Sequence, residues 1–240
     1  MFVHFPLLFL TFLPLFLACH TQLDALPPGL QPLPAGLTGT NAGLPTAISP
    51  DCAPALAGDV VLNEYLVRPA GIDVDGDGKS NGRDEALELA LTTGSRQVHL
   101  QGAKFYVDGQ LRGQIVGPVC LDPRHLVVLL SNTAALASWP PGVDEIRLDH
   151  LLKLPDGGAS LELRTADDQL LFRHAYIPEQ GGAPSSWTRT VDGDGSSDWQ
   201  RALDWSEGHG RAQTIGACND GRPACACLAS QGMDCAADGG

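Results

Sequence analysis

Short apolar stretches separated by turn residues run through the middle of the chain. Residues 60–67 combine branched, aromatic and polar side chains in a composition that favours a strand. Pro69 ends this stretch because it has no N–H to donate to a neighbouring strand. Residues 85–91 place leucines at alternate positions, and this period of two predicts a strand. Ala, Leu and Glu favour helix, but the stretch is short and turn signals flank it, so we predict a strand there as well.

The pattern of short strands continues beyond residue 170. Asp108 and Gly109 separate two of these stretches and are typical of a two-residue hairpin turn. Chains with many short strands at this spacing form sandwiches or barrels, so we predict an all-β body over residues 52–207. The further predicted strands are residues 97–100, 104–107, 110–115, 125–130, 145–148, 160–164 and 169–176.

The N-terminal residues have the pattern of an export signal. Residues 5–18 are apolar apart from Thr11. This length is below the roughly 20 residues of a membrane-spanning helix but suits a signal peptide. The run ends in Phe-Leu-Ala before Cys19, which resembles a bacterial lipobox. We therefore predict a signal peptide over residues 1–18 and a lipidated Cys19 that anchors the protein to the membrane. The alternative is an ordinary cleaved signal, with Cys19 removed or paired.

Both ends of the mature chain differ in composition from the body. Residues 20–50 contain six prolines, four glycines and one charged residue. We therefore expect residues 19–51 to form the lipid anchor and a flexible, Pro-rich tether. Residues 208–240 form a C-terminal tail rich in Gly, Ala, Asp and Cys.

Six cysteines follow Cys19, and an even number fits a disulfide framework in an exported protein. Fifteen pairings are possible for six cysteines. We expect one disulfide to bridge the sandwich from Cys52 to Cys120, with local pairing among the last four. A zinc site is the weaker alternative, because Cys225 and Cys227 are separated by a single residue. The disulfide candidates are Cys52, Cys120, Cys218, Cys225, Cys227 and Cys235.

The charge balance excludes one class of partner. The formal net charge is -13 at pH 7, and binding to nucleic acid needs a basic face. An acidic surface suits an extracellular protein that meets divalent cations. Simple solubility explains the same charge equally well.

The stretch from Asp73 to Asp84 has the spacing of a calcium-binding loop. Carboxylates occupy positions one, three, five and twelve, with glycine at six and asparagine at nine. The residue at position seven would supply its backbone carbonyl. Because predicted strands flank the loop, it is not an EF-hand. The alternative is an acidic, glycine-rich connection that only turns the chain. The candidate calcium ligands are Asp73, Asp75, Asp77, Lys79, Asn81 and Asp84.

Three polar residues interrupt the first two predicted strands, namely Asn63, Glu64 and Glu88. They either approach the acidic loop and add a ligand, or alternate to a solvated face of the sheet. Residues 192–198 repeat the acidic pattern in shorter form and predict a plain turn. Trp187 and Trp199 flank that turn, where they either close an edge of the core or contact a glycan or protein partner.

Signals for an enzyme are thin. A literal Gly-x-Ser-x-Gly match at residues 78–82 lies inside the acidic loop, whereas a nucleophile elbow needs a strand before it and a helix after it. Within predicted strands, His125 and His174 are typical of structural histidines. Asp149 and His150 could join a catalytic triad only through folding that the sequence does not reveal.

The order of several motifs resembles a bacterial lamin-tail domain. Val-Leu-Asn-Glu-Tyr at residues 61–65 and Glu-Ala-Leu-Glu-Leu at residues 85–89 look like its opening, and the later matches cover most of the predicted body. The resemblance implies an immunoglobulin-like β-sandwich and no catalytic residues. Bacterial members of the family are surface or secreted modules. The later matches are residues 123–129, 154–163, 170–176, 186–189, 192–195 and Trp199.

These observations together predict an exported protein that is lipid-anchored to the bacterial cell envelope, at the outer membrane, or secreted. We expect a surface interaction or structural module stabilised by calcium, with a membrane contact through Cys19 and an unidentified protein or glycan partner. The alternative is a secreted hydrolase or the accessory domain of one.

Overall fold

The computed structural model describes residues 52–92, 96–117, 120–134, 139–182, 184–204 and 212–219. The predicted signal peptide, the tether and the lipidation candidate Cys19 lie outside the described residues. So do the cysteines at positions 225, 227 and 235. Within the described residues, no helix has the length and hydropathy required to cross a bilayer.

The described residues are nearly all β-structure, as predicted. A single helical turn, α1 (Pro178–Gly181), and one turn of 3-10 helix at Ala202–Asp204 are the helical elements of this part of the chain. The strands are β1 (Ala53–Pro54), β2 (Val60–Leu66), β3 (Ala86–Leu91), β4 (Val98–His99), β5 (Lys104–Val107), β6 (Gln110–Val116), β7 (Cys120–Leu121), β8 (Leu126–Leu130), β9 (Val143–Leu148), β10 (Ala159–Arg164), β11 (Leu170–Tyr176), β12 (Trp187–Arg189) and β13 (Trp199–Arg201).

Two sheets contain these strands. The larger has the order β11-β10-β5-β6-β9-β8-β3-β2-β12-β13, and the smaller has the order β1-β4-β7. The pairs β8–β9 and β1–β4 are parallel, and the other pairs are antiparallel. The predicted hairpin turn is present between β5 and β6, where Asp108 and Gly109 both have positive φ, at 50° and 72°. Positive φ at both positions is the requirement of a type I′ turn.

The larger sheet curls, so that strands far apart in its order pack against each other across a common core. Tyr65 on β2 lies with its ring centroid 5.0 Å from His174 and 5.5 Å from Tyr176, both on β11. We call the side of each strand that faces this core its inner face. The largest side chains there include Phe105, Leu87 and Leu129, which are fully buried. The curl is consistent with the predicted all-β sandwich.

The prediction of a strand at β3 is confirmed, and its position explains why helix propensity is overridden. The strand lies between β2 and β8, hydrogen-bonded on both sides. Leu87, Leu89 and Leu91 point into the common core. Ala86 and Ala90 point to the opposite, outer face, where they are buried in two smaller apolar clusters. A strand with both faces covered gains from burial at every position, which outweighs a local preference of a few tenths of a kcal/mol per residue.

The predicted disulfide between Cys52 and Cys120 is confirmed, with a Cα–Cα distance of 5.9 Å. It joins the residue before β1 to the first residue of β7. Both strands flank β4 in the smaller sheet, so the disulfide closes this sheet. Cys218 is disulfide-bonded as well.

Candidate functional site

The acidic loop, residues 67–85, connects β2 to β3. Ile72 and Val74 are buried beside Leu66 on the outer face and fix the first half of the loop against the sheet. Gly76 and Gly78 have φ of 71° and 82°, a region that glycine adopts without steric cost. The backbone can therefore reverse within a few residues and bring acidic side chains back toward one point.

Three carboxylates of the loop converge. One oxygen each from Asp73, Asp75 and Asp84 lies within 4.8 Å of the other two. Asp84 is fully buried and Asp75 nearly so, whereas Asp73 is exposed. The group therefore reaches solvent through Asp73.

Backbone amides of the same loop hold these carboxylates in place. Val74 and Asn81 donate their N–H groups to Oδ1 and Oδ2 of Asp84, both at 2.8 Å. Gly78 donates its N–H to Oδ2 of Asp73, also at 2.8 Å. An ionised carboxylate has about four lone-pair positions, so Asp73 and Asp84 keep acceptor capacity beyond these bonds.

The donor set fits a hard divalent cation. Calcium is bound by carboxylate, carbonyl and water oxygens, whereas zinc prefers nitrogen and sulfur ligands. Burial raises the pKa of the Asp84 carboxyl, and the nearby charge of Asp75 raises that pKa further. A cation between the three carboxylates would offset both the lost hydration and the mutual repulsion.

The remaining candidate ligands hold the loop together. Asp77 lies outside the converging group, and its Oδ1 accepts the N–H of Lys79 at 2.8 Å. Asn81 donates its N–H to Asp84, while its Oδ1 accepts the N–H of Arg83 at 3.0 Å. Three of the four acidic residues among the predicted ligands therefore converge. Asp77, Lys79 and Asn81 take part in hydrogen bonds that hold the loop together.

A second group of acids lies on the outer face of the sheet, and the sequence did not predict it. Glu64 on β2 and Glu88 on β3 are directly opposed and fully buried. Asp192, in the connection between β12 and β13, is also buried. We call these three residues the outer carboxylate cluster. Of the two alternatives left open by the sequence, a solvated face is therefore wrong for Glu64 and Glu88.

A β-bulge creates the geometry of this cluster. The register between β2 and β3 shifts between Leu62 and Glu64, so Asn63 is the extra residue. Leu62 and Tyr65 both point into the common core, which leaves Asn63 and Glu64 on the outer side. The amide of Asn63 donates to Glu88 Oε1 at 2.7 Å and to Asp192 Oδ1 at 2.8 Å, and it links the two acids.

Residues 212–219, which we call the docked segment, cover the outer carboxylate cluster. Thr214 donates its N–H to Glu64 Oε1 at 2.8 Å, and Gly216 donates its N–H to Glu88 Oε2 at 2.7 Å. Asn219 donates its N–H to Asp192 Oδ2 at 3.1 Å. Each carboxylate of the cluster therefore accepts one backbone amide of the docked segment.

The aromatic residues between β2, β11 and β13 form a stack rather than an open site. Trp199 lies 5.0 Å from Tyr65 and 4.5 Å from His174, measured between ring centroids. The guanidinium of Arg189 lies over the ring of Trp199, 4.3 Å from its centroid. Burial lowers the pKa of His174 to about 4, with a further contribution from the charge of Arg189. Trp187 also packs against the core, so both tryptophans close the edge of the core.

Two histidines have acidic partners. His125 Nδ1 lies 3.0 Å from Asp144, and His150 Nδ1 lies 2.9 Å from Asp149. In the part of the chain that the structure describes, neither histidine hydrogen-bonds to a serine or threonine hydroxyl. Residues 192–198 form the predicted turn, in which Asp194 accepts the N–H of Ser196 at 2.8 Å.

The fold and the acidic loop define a disulfide-linked, all-β protein with a candidate centre for a hard cation in a strand connection. In comparisons with known proteins, no protein-family model matches the chain, and no curated protein matches it.

Proposed function

We propose that the protein is an exported module, lipid-anchored through Cys19, whose β2–β3 connection binds calcium. Its role is structural or that of a surface interaction module with a protein or glycan partner, and not catalysis. The observation that carries the proposal is the convergence of Asp73, Asp75 and Asp84 within 4.8 Å.

Several features support this function. A disulfide closes the smaller sheet, and disulfides persist in exported proteins rather than in a reducing cytosol. The finer fold assignment, an immunoglobulin-like sandwich of the lamin-tail type, belongs to the same proposal. It is supported by the positions of the motifs behind that resemblance, since residues 61–65 lie within β2 and residues 170–176 coincide with β11.

The position of the acidic loop indicates what calcium does. The loop begins and ends on neighbouring strands of one sheet, and its apolar residues are packed against that sheet. A cation there would stabilise the strand connection. Extracellular calcium modules have dissociation constants of about 10⁻⁴–10⁻³ M. At about 10 mM calcium, this affinity corresponds to a stabilisation of about 1.4–2.7 kcal/mol.

Thermal unfolding with calcium or with a chelator tests the metal. For a domain of this size, 1 kcal/mol shifts the midpoint by about 2–4 °C, so we expect a rise of about 3–10 °C. Asp73→Asn should remove most of the rise, and because Asp73 is exposed, the variant should still fold. Asp167→Asn, which removes an exposed acid outside the loop, is the matched control and should keep the full shift. An unfolding midpoint that calcium leaves unchanged would refute the proposal that the loop binds calcium.

Cell fractionation tests the anchor. Lipidation of Cys19 predicts that the full-length protein sediments with membranes and that Cys19→Ala moves it to the soluble exported fraction. Membrane association that persists in Cys19→Ala would refute the anchor and leave the calcium proposal standing.

A further inference from the structure

The docked segment closes a groove on the outer face of β2, β3 and β8. Ile215 fills an apolar cluster at one end of this groove, with Leu66 and Val128. Cys218 fills a second cluster at the other end, with Ala90 and Leu126. The outer carboxylate cluster lies between these two apolar ends, so the middle of the groove is acidic and dry.

We propose that Glu64 and Glu88 form a pH-controlled latch, which holds the docked segment on the sheet while the pair retains a proton and releases it when the proton is lost. The only chemical step is ionisation: one carboxylic acid of the pair gives its proton to water. Release would uncover the two apolar clusters and the outer carboxylate cluster that the docked segment now covers.

The geometry carries this proposal. Glu64 and Glu88 occupy directly opposed positions on adjacent strands, where two like charges repel each other. Both are fully buried, so water does not screen the repulsion. Their hydrogen-bond donors are neutral: the amide and hydroxyl of Thr214 for Glu64, and the Asn63 side chain and Gly216 amide for Glu88. Within the described residues, neither glutamate forms an ion pair.

Among the residues that the structure describes, the groups that face the pair from the surrounding elements do not supply a neutralising charge. On the neighbouring strands, Thr188 lies opposite Glu64, and Val128 lies opposite Glu88. The docked segment contains no charged residue. The connection between β12 and β13 adds a third acid, Asp192.

Charged residues farther along the same elements are occupied elsewhere. Arg189 on β12 has its guanidinium on the ring of Trp199, toward the common core. On β9, one strand beyond β8, Glu145 is paired with Arg147 at 2.6 Å. Arg189 and Arg147 therefore have other partners, and a retained proton is the simplest way for the pair to avoid two adjacent buried charges.

The direction of the pH effect follows from linkage. Burial raises the pKa of Glu64 from 4.5 to about 7. The pKa of Glu88 is raised as well, mainly by burial and secondarily by repulsion from Glu64. Both acids accept backbone amides of the docked segment, and such hydrogen bonds lower a carboxyl pKa. Both pKa values are nevertheless raised, so the amides do not fully replace the lost hydration. When the segment opens, water reaches both acids and their pKa values return toward 4.5. Docking is therefore tightest below about pH 4.5 and weakens as the pH rises through about 7.

Amide hydrogen exchange in the docked segment tests the latch in the full-length, oxidised protein. After correction for the intrinsic exchange rate, we expect the opening constant of the segment to rise at least about tenfold per pH unit between about pH 5 and 7. Glu64 alone contributes about 300-fold, the ratio for a pKa that moves from 4.5 to about 7. The raised pKa of Glu88 adds to this increase, so the total should be at least about 300-fold. Peptides from β8, in the middle of the larger sheet, should not follow this profile.

Four variants separate the latch from general pH effects. Glu88→Gln and Glu64→Gln each remove one titrating acid and should reduce the pH dependence of the segment. Because burial raises the pKa of each glutamate, the double variant Glu64→Gln/Glu88→Gln should abolish most of the dependence. Glu85→Gln is the matched control. Burial also raises the pKa of Glu85 to about 7, but this glutamate accepts the N–H of Leu154 and does not touch the docked segment, so its variant should keep the full dependence.

Three outcomes would overturn the proposal. The first is a wild-type opening constant that stays the same between pH 5 and 8. The second is a pH profile that the β8 peptides share, because it would indicate global unfolding. The third is a pH dependence that is undiminished in whichever of Glu88→Gln, Glu64→Gln and the double variant folds. The wild-type profile alone decides the first two.

Discussion

The disulfide between Cys52 and Cys120 should contribute a large part of the stability of the protein. The two cysteines are 68 residues apart in the sequence, so the cross-link closes a long loop and restricts the unfolded chain strongly. The loop-closure entropy for this length corresponds to about 4 kcal/mol at 25 °C. Single domains have total stabilities of about 5–15 kcal/mol, and loss of the cross-link therefore removes a quarter or more of the total. Because Cys218 is also disulfide-bonded, a reducing agent would break more than one bond.

The double variant Cys52→Ala/Cys120→Ala removes this cross-link alone. We expect urea unfolding of the oxidised protein to show a loss of about 4 kcal/mol relative to wild type. The urea dependence of the unfolding free energy should also become steeper, because an unfolded chain without the cross-link exposes more surface. Cys52→Ser/Cys120→Ser is the control for side-chain chemistry and should lose a similar amount. A loss below about 1 kcal/mol with an unchanged slope would contradict the entropic reasoning.

Two further pairs of variants test the packing. The buried Tyr65 hydroxyl has no hydrogen-bond partner among the described residues, so Tyr65→Phe should stabilise the protein by about 1 kcal/mol. Tyr176→Phe loses a 2.8 Å hydrogen bond to a backbone carbonyl and should cost about 1 kcal/mol. Urea unfolding measures both changes. Equal losses in both variants would contradict this. Gly216 and Gly58 both have positive φ, but only at Gly216 would an added Cβ approach the ring of Trp139 at 2.7 Å. Gly58→Ala should therefore cost about 1–2 kcal/mol, and Gly216→Ala should cost more and raise hydrogen exchange in the docked segment. Equal costs would place the ring contact in doubt.

The strands that the sequence predicts well are those that carry their own periodicity. The leucines of β3 alternate over the whole strand, and the structure places all three in the common core. The hairpin at Asp108 and Gly109 is equally local, because the two residues alone meet the φ requirements of the turn. By contrast, β12 and β13 have three residues each, too few to show a period. Their pairing depends on β2, which lies more than a hundred residues earlier in the chain.

The residue spacing predicts only part of the geometry of the acidic loop. The carboxylates of Asp73 and Asp75 are two residues apart, and the chain turns at two glycines before it returns to Asp84. These features are local, so the sequence predicts that acids gather there. It does not predict which acids converge, because all four accept loop amides and the outcome depends on the folded path of the backbone. Asp77 faces the N–H of Lys79 and stays outside the group.

The outer carboxylate cluster depends on residues that no local pattern connects. A glutamate within a strand indicates only that its side chain points away from the apolar neighbours in that strand, and this holds equally for a solvated face and a covered one. Two features that depend on other parts of the chain decide the outcome for Glu64. The first is the bulge at Asn63, which arises from the pairing with β3 and turns Glu64 to the outer face. The second is the amide of Thr214, which lies 150 residues later in the sequence. The docked segment has neither strand periodicity nor charge, so nothing in its composition shows that it binds acids. Its backbone amides make those bonds, and every residue other than proline has an amide to donate. The burial of Glu64 and Glu88 by backbone donors can therefore be recognised only in the folded structure, where the docked segment lies on the acids.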